Sequence, residues 1–201
     1  IYHGANNNTI DKNNISATSH GTGDYGIHIY NSSSQNNITN NLIFVNGTST
    51  NYGIYIQKSS SRNLVDSNNV RLKGTSNTNY GVYIYQSSEG NTIRNSTINT
   101  NSTSGASTQG VVIDNYASNN TVTGCTIFGW NIYGLYVTTT SNNNTISYNN
   151  ILLNNTNAGS AYCVYLNGPF SGTQVVGNNI TNNCSQNCWG IYAYNNVQKG
   201  I

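Results

Sequence analysis

Charged residues are scarce in this sequence of 201 residues. Seven Lys and Arg stand against five Asp and Glu, which gives a formal net charge of +2. Nucleic-acid affinity depends on many contacts between cations and phosphates, so we expect no nucleic-acid partner. The sequence also lacks an apolar run long enough for a membrane-spanning helix, and we expect no membrane span.

Methionine is absent, proline occurs only at Pro169, and histidine occurs three times, at His3, His20 and His28. The histidines occupy unrelated positions, and no set of His, Cys, Asp or Glu has a spacing typical of metal ligands. The lack of methionine removes a ligand type that copper prefers. We therefore expect neither a metal ion nor another cofactor.

Asparagine is abundant instead, with 41 copies, and a chain of this composition without internal order would be classed as low-complexity and disordered. The aliphatic residues, however, recur at fixed intervals. A motif of the type Asn-Thr-Ile, followed five residues later by another aliphatic, occurs seven times, at Ile10 and Ile15, Ile38 and Ile43, Val65 and Val70, Ile93 and Ile98, Val122 and Ile127, Ile146 and Ile151, and Val175 and Ile180.

A second motif, Gly followed by alternating aliphatics, also occurs seven times, at Gly26, Gly53, Gly81, Gly110, Gly134, Cys163 (in place of Gly) and Gly190. The distance from each such position to the first aliphatic of the next Asn-Thr-Ile motif is always 12 residues. The distance from the second aliphatic of that motif to the following Gly position varies from 7 to 12 residues. Stacked strands need constant spacing, and a solvent-facing loop tolerates changes in length. The pattern predicts an all-β fold, a parallel β-helix of about seven coils of 24–29 residues with an aliphatic core.

Two columns of asparagine follow from this alignment. One contains Asn8, Asn36, Asn63, Asn91, Asn120 and Asn144, and the other contains Asn13, Asn41, Asn68, Asn149 and Asn178. Stacked side-chain amides can hydrogen-bond along a column. Asparagine is also a common turn former, which explains either column without a ladder.

The strings NNTIDKNNI, GNTIRNSTI and NNNTISYNNI, together with GIYI and GVYI, recur with variations along essentially the whole chain. They resemble the right-handed parallel β-helix repeat proteins of the pectate-lyase-like superfamily, in particular the Asn-rich repeat type of cell surfaces and periplasms. The resemblance implies a single-stranded right-handed β-helix. The superfamily includes polysaccharide lyases and hydrolases, a copper-site maturation protein, phage tail spikes, adhesins and structural surface proteins, so the fold leaves the function open.

The carboxylates give little support for catalysis. Asp11 and Asp66 share a column two coils apart, with Thr39 between them and Arg94 directly after Asp66. We interpret the group as a surface ion pair, because no third carboxylate aligns with it. Asp24, Glu89 and Asp114 are the other acidic residues. We therefore predict no catalytic residues and expect that the chain is not an enzyme.

All four cysteines lie late in the chain. Cys184 and Cys188 fall in the variable loop of the last complete coil, where an extracellular disulfide is plausible. Cys163 stacks near that loop and is an alternative partner for Cys188. We expect Cys125 to pack as a small apolar residue.

Twelve Asn-x-Ser/Thr sequons are candidates for N-glycosylation. The stronger candidates lie in the variable loop or at exposed bends, at Asn46, Asn101, Asn154, Asn183, Asn31, Asn119 and Asn143. The others are Asn7, Asn14, Asn37, Asn95 and Asn179. Attached sugars would supply the hydration that surface charges normally provide.

Tyrosine forms two neighbouring columns on the coil alignment. One is an outward aromatic ladder of Tyr55, Tyr83, Tyr136, Tyr165 and Tyr192, and the other contains Tyr25, Tyr52, Tyr80, Tyr133, Tyr162 and Trp189. Such ladders can stabilise a sheet through neighbouring rings, pack against another subunit or a glycan, or bind a ligand such as a polysaccharide.

Both ends of the sequence fall inside the repeat. Ile1 aligns with the strand residue Ile84, and Ile201 lies beside a core position. We expect one β-helix domain spanning residues 1–201, uncapped at both ends, which is either a fragment of a longer solenoid or a subunit that stacks end to end on copies of itself.

These observations favour an extracellular, N-glycosylated structural protein of a cell surface that assembles into a filament or surface layer. Its partners would be copies of itself and covalent glycans, with polysaccharide as a candidate ligand. The alternative is a carbohydrate-binding or polysaccharide-cleaving β-helix protein of the adhesin, lyase or tail-spike type.

Overall fold

A computed structural model of the chain describes residues 1–19, 21, 23–74, 78–102, 107–129, 132–155, 160–169 and 171–195. In these ranges the chain forms 21 β-strands and no helix. The strands belong to three parallel sheets of seven strands each, and every coil contributes one strand to each sheet. The predicted all-β solenoid of about seven coils is confirmed.

We name the sheets by their features. The short sheet has three-residue strands: β1 (Thr9–Asp11), β4 (Asn37–Thr39), β7 (Leu64–Asp66), β10 (Thr92–Arg94), β13 (Thr121–Thr123), β16 (Thr145–Ser147) and β19 (Gln174–Val176). The middle sheet contains β2 (Asn14–Ser19), β5 (Leu42–Gly47), β8 (Asn69–Gly74), β11 (Thr97–Ser102), β14 (Thr126–Gly129), β17 (Asn150–Asn155) and β20 (Asn179–Cys184). The tyrosine sheet contains β3 (Asp24–Tyr30), β6 (Asn51–Gln57), β9 (Thr78–Tyr85), β12 (Ser107–Ile113), β15 (Tyr133–Thr138), β18 (Ser160–Asn167) and β21 (Asn187–Tyr194).

The aliphatic columns form the core. Val65 pairs with Ile38 on one side and with Ile93 on the other, so the three are vertical neighbours as predicted. All three side chains are fully buried. Burying a side chain of this size stabilises the fold by about 1.5–3 kcal/mol. Because each coil repeats the same positions, this contribution recurs along the axis.

A two-residue corner joins the short sheet to the middle sheet. Its first residue has a left-handed conformation, for example Asn40 at φ 55°, and its second is Asn41. The Asn41 amide donates to Asn68 Oδ1 in the next coil at 3.0 Å and to the Ile10 carbonyl in the preceding coil at 2.9 Å. The predicted ladder is thus confirmed, although Ser96 and Cys125 interrupt it.

The second predicted ladder lies before the short sheet and is also confirmed. Asn36, Asn63 and Asn91 each donate from Nδ2 to Oδ1 of the asparagine one coil further on, at 3.0–3.1 Å. These side chains are buried. A buried amide destabilises a fold unless it is hydrogen-bonded, so the ladder provides the partners that burial requires.

A third polar column, which the sequence analysis missed, lies between the middle and tyrosine sheets. Register places Asp24, Asn51, Asn79 and Thr108 one above another, and all four are buried. Asn51 Nδ2 donates to Asn79 Oδ1 at 2.7 Å and to the Gly47 carbonyl at 3.2 Å. Asp24 Oδ2 and Asn51 Oδ1 are both buried without a hydrogen-bond partner.

The recurrent glycine has a steric cause. A β-carbon at Gly53 would overlap Val70 Cγ1 and would lie 2.5 Å from the Gly81 carbonyl oxygen of the next coil. The tight approach of successive coils therefore leaves no room for a side chain there.

Candidate functional site

The outer face of the tyrosine sheet carries three columns of side chains. The first is Tyr25, Tyr52, Tyr80, Gln109, Tyr133, Tyr162 and Trp189, and the second is His28, Tyr55, Tyr83, Val112, Tyr136, Tyr165 and Tyr192. The third column, at the C-terminal ends of these strands, is Tyr30, Gln57, Tyr85, Asp114, Thr138, Asn167 and Tyr194. The chain concentrates most of its aromatic residues on this surface.

Most of these ring pairs lie face to face, both within a strand and between neighbouring coils. Tyr55 stacks on Tyr52 with centroids 4.5 Å apart and planes 9° apart, and on Tyr83 at 5.2 Å and 13°. Each ring therefore covers the face of its neighbours, and Tyr55 is only 7% exposed. The surface offered to solvent consists mainly of ring edges and phenolic hydroxyls.

Burial, with smaller contributions from neighbouring tyrosines, raises the pKa of the Tyr52 and Tyr165 hydroxyls to about 12. Burial also raises the pKa of Tyr55 and Tyr83 well above the usual range. At neutral pH these hydroxyls are uncharged and can both donate and accept hydrogen bonds.

The aromatic rows break at the fourth coil, where Gln109 and Val112 replace the rings. Among the described residues, no aromatic pair spans this coil. Tyr83 leans towards it and donates its hydroxyl hydrogen to Asp114 Oδ2 at 2.9 Å. Val112 is 2% exposed and Gln109 is 9% exposed, with Gln109 Oε1 unpartnered. The fourth coil thus holds a carboxylate that is hydrogen-bonded to a phenol and, in a separate column, a buried amide oxygen.

His28 takes the place of a tyrosine in the first coil. Its ring stacks between Tyr25 and Tyr55, with centroid distances of 4.8 Å and 5.1 Å. Its two ring nitrogens contact Tyr2 Oη and Gln57 Nε2, both at 2.8 Å. Burial, with a smaller contribution from the terminal ammonium, lowers the pKa of His28 to about 4, so the ring is neutral at pH 7.

A shallow polar groove of 420 Å³ lies beside the third column, along the turns that lead from the tyrosine sheet to the short sheet. Lys58 lies on its edge, with Nζ 2.6 Å from Tyr30 Oη and 4.8 Å from the centre of that ring. The groove is lined by Asn31, Ser32, Lys58, Ser59, Gln86, Ser87 and Asn115. Hydroxyl and amide groups therefore continue the hydrogen-bonding surface of the tyrosine sheet.

The acidic group predicted from the sequence is an ion pair on the short sheet. Arg94 contacts Asp66 Oδ2 through Nε at 2.9 Å and through a terminal nitrogen at 2.8 Å. Burial raises the pKa of Asp66, but hydrogen bonds from Arg94, Asn95 and Ser67 outweigh it and hold the pKa below its usual value.

Asp11 lies two coils before Asp66 in the same column. Hydrogen bonds from Asn40 and Thr39, at 2.8 Å and 2.7 Å, lower the pKa of Asp11. Both carboxylates are therefore engaged by the chain itself.

The described part of the chain holds no group of three or more His, Cys, Asp or Glu side chains placed to bind a metal ion. A search of the same residues for a helix long and apolar enough to cross a membrane found none.

The cysteines adopt one of the two predicted arrangements. Cys184 and Cys188 form a disulfide. The alternative pairing with Cys163 is wrong, because Cys163 is a buried free thiol whose Sγ lies 3.4 Å from the Thr181 carbonyl. Cys125 is also free and buried, as expected for a small core residue.

The sequons occupy several surfaces. Asn31 and Asn46 are half-buried, and the other ten glycosylation candidates are exposed. Five of the twelve candidates have left-handed backbone conformations at corners: Asn7, Asn31, Asn95, Asn119 and Asn143. Asn46, Asn101, Asn154 and Asn183 lie near the ends of middle-sheet strands instead.

Sequence reasoning missed three features of this region: the Tyr83–Asp114 contact, the buried Gln109 oxygen and the Asp24 column. The last had a usable signal, since Asp24, Asn51 and Asn79 each stand two residues before the recurrent Gly. The first two depend on side-chain torsions, which periodicity does not encode.

Comparison with known proteins gives a family and one structural similarity. The family model described as "Right handed beta helix region" matches residues 1–98 and 49–199. No curated protein matches the chain. A crystal structure of a mutant of the periplasmic alginate epimerase AlgG is similar, with 15% identity and a TM-score of 0.44. The match covers 86% of this chain and 46% of the epimerase chain, so this chain spans less than half of that protein.

The prediction that the chain is not an enzyme is corrected on this comparison, because the similar structure is that of an enzyme. At 15% identity the similarity assigns no activity and no substrate to this chain. The family match, in contrast, runs through almost the whole sequence and agrees with the three parallel sheets. The chain belongs to the right-handed β-helix family.

Proposed function

We propose that the protein binds a neutral polysaccharide along the outer face of the tyrosine sheet. The observation that carries this proposal is the double row of stacked rings, which presents phenolic hydroxyls at the repeat of the coils, about 4.8 Å. A polysaccharide is also a linear repeat, and its hydroxyls are donors and acceptors like those of tyrosine. The ligand would lie along the solenoid axis.

The chemistry of the face favours a neutral ligand. Tyrosine hydroxyls are uncharged at pH 7, and His28 is neutral at that pH because its pKa is lowered to about 4. Lys58 lines the neighbouring groove and Asp114 lies in the third column of the face, and their opposite charges offset each other. Among the described residues, this surface has no cluster of cations with which a polyanion could pair.

Hydroxyl groups rather than ring faces would make the contacts, because neighbouring rings cover most faces. Replacing Tyr133, Tyr162 and Tyr165 together by Phe keeps the ring stack and removes three hydroxyls. Each lost hydrogen bond costs about 0.5–1.5 kcal/mol, so we expect affinity for the ligand to fall by at least roughly tenfold.

The test is affinity electrophoresis of the full chain through gels that contain a neutral glucan or mannan, or an acidic polyuronate. The control is Tyr148→Phe, which alters a tyrosine that is 70% exposed at a corner outside the tyrosine sheet. We expect retardation by a neutral polymer, its loss in the triple variant and its retention in the control. Retardation by the polyuronate alone, or equal loss in the control, would overturn the proposal.

A second candidate is modification of the bound polysaccharide, and the Tyr83–Asp114 contact favours it. A carboxylate hydrogen-bonded to a phenol on the binding face is suited to move a proton. Incubation with the polysaccharide that binds, followed by measurement of new reducing ends, tests cleavage. Asp114→Asn should abolish any cleavage while binding persists; cleavage that survives in this variant would exclude the pair.

We also propose that the protein works outside the cytoplasm. The Cys184–Cys188 disulfide supports this location, since disulfides persist mainly in oxidising compartments. Self-stacking into a filament or surface layer stays a prediction from the sequence, and electron microscopy of the native material tests it.

A further inference from the structure

We infer that the outer face of the middle sheet carries one row of N-linked glycans. In each molecule only one of two neighbouring asparagines of this row, Asn154 or Asn183, carries a glycan. The row is formed by Asn46, Asn101, Asn154 and Asn183, each the first residue of a sequon. This inference is independent of the proposed binding function, because the row belongs to another sheet.

Strand register places these asparagines in one column. Val45 pairs with Leu72, and Lys73, the residue after Leu72, pairs with Asn101, so Asn46 and Asn101 stand two coils apart. Asn154 pairs directly with Asn183. The row therefore uses the second, fourth, sixth and seventh coils.

The spacing decides how many glycans fit. Alternate coils are about 9.6 Å apart, whereas adjacent coils are only about 4.8 Å apart. Asn183 Nδ2 donates to Asn154 Oδ1 at 3.1 Å, so the two side-chain amides are in direct contact on the surface. A glycan is bulky, and its first sugar on either asparagine covers the other.

The surroundings of the row suit the modification. Asn101, Asn154 and Asn183 are exposed, and the row borders the loop that alone changes length between coils. The corner sequons differ, since Asn31 Nδ2 is 2.8 Å from His3 Nδ1 and Asn95 Nδ2 donates to Asp66 at 3.1 Å. The Asn183 amide, in contrast, donates to another sequon asparagine, Asn154.

The reaction needs a lipid-linked oligosaccharide diphosphate and its transferase as co-reactants. The Asn Nδ2 forms a C–N bond with the anomeric carbon, the C–O bond to the diphosphate breaks, and the lipid diphosphate leaves. The amide gives up one proton.

The experiment is secretion of the full chain from cultured insect cells, followed by intact mass and by glycosidase release in heavy-oxygen water, which marks each occupied asparagine. We expect glycans at Asn46 and Asn101 and one glycan on the Asn154 and Asn183 pair. Asn154→Gln and Asn183→Gln should each leave the glycan number unchanged, and the double variant should lose one.

The matched control is Asn150→Gln, an exposed residue of the same sheet that is not in a sequon. It should leave the glycan number and positions unaltered. Molecules with glycans on both Asn154 and Asn183 would overturn the inference. A secreted chain that is bare at Asn46 and Asn101 would overturn it equally.

Discussion

Replacing Asp24 by Asn should stabilise the protein. Asp24 Oδ2 and Asn51 Oδ1 are two buried acceptors without partners, and a β-carbon at Gly47 would overlap both, so they converge on one place. In Asp24→Asn the new Nδ2 can donate to Asn51 Oδ1, as Asn51 donates to Asn79 at 2.7 Å. The buried polar column would then carry hydrogen-bonded amides from residue 24 through Asn51 to Asn79.

The magnitude follows from the two orphaned oxygens. Leaving a buried polar group unpaired costs about 1–3 kcal/mol, and the substitution replaces two such groups by one hydrogen bond. We therefore expect the free energy of unfolding to rise by about 1–3 kcal/mol. For a chain of this size, each kcal/mol corresponds to roughly 2–4 °C in melting temperature.

Equilibrium unfolding in urea at pH 7 measures this change, provided that the slope with denaturant is the same for both chains. Asp24→Ala is the matched control, because it removes one orphaned oxygen and leaves Asn51 Oδ1 unpartnered. It should gain less than Asp24→Asn. A destabilised Asp24→Asn chain, or an equal gain in both variants, would refute the ladder argument.

Three further predictions follow from packing and titration. Gly53→Ala should cost at least about 2 kcal/mol in urea unfolding, because the new β-carbon meets the Gly81 carbonyl, whereas Gly190→Ala, whose β-carbon would lie 3.8 Å from its nearest neighbour, should be within about 0.5 kcal/mol of the parent. Burial raises the pKa of Tyr52 to about 12, so stability that is complete below pH 10 should fall as the pH rises towards 12, and ultraviolet titration should show fewer phenolates at pH 11 than in the unfolded chain. The pKa of His28 is lowered to about 4, so its contribution is complete above pH 6.5 and is lost as the pH falls towards 4; His28→Asn should remove this dependence from unfolding measured between pH 7.5 and 4.

The repeat pattern predicted the fold well because strand register is a periodic property. A fixed interval of 12 residues between the Gly position and the next core aliphatic places Ile38, Val65 and Ile93 in one column, and the structure pairs them so. The two asparagine ladders follow for the same reason, since equal spacing puts amides at equal heights. Length changes were correctly confined to one loop.

For the candidate site, the sequence predicted which residues line the outer face but not how their side chains are oriented. Spacing identified the outward tyrosine columns, but it could not show that the rings cover one another or that Tyr83 reaches Asp114. Ring orientation depends on side-chain torsions and on local neighbours. The third polar column was missed because its members change chemistry from Asp24 to Asn51 to Thr108, so residue identity hid a constant position.

Ring stacking and ligand binding make different demands on the same tyrosines, which allows the two roles to be separated. Tyr55 contacts the rings of Tyr25, Tyr52 and Tyr83 and is 7% exposed. Replacing this side chain should therefore mainly destabilise the sheet. Tyr133 borders the coil where the rows break, and no ring among the described residues covers its side towards Gln109. A hydroxyl beside that break can contact a ligand at little cost to the stack. If the aromatic rows served only to stabilise the sheet, replacing tyrosine by phenylalanine would remove hydroxyls without changing the retardation by polysaccharide. The triple variant therefore decides between the two roles.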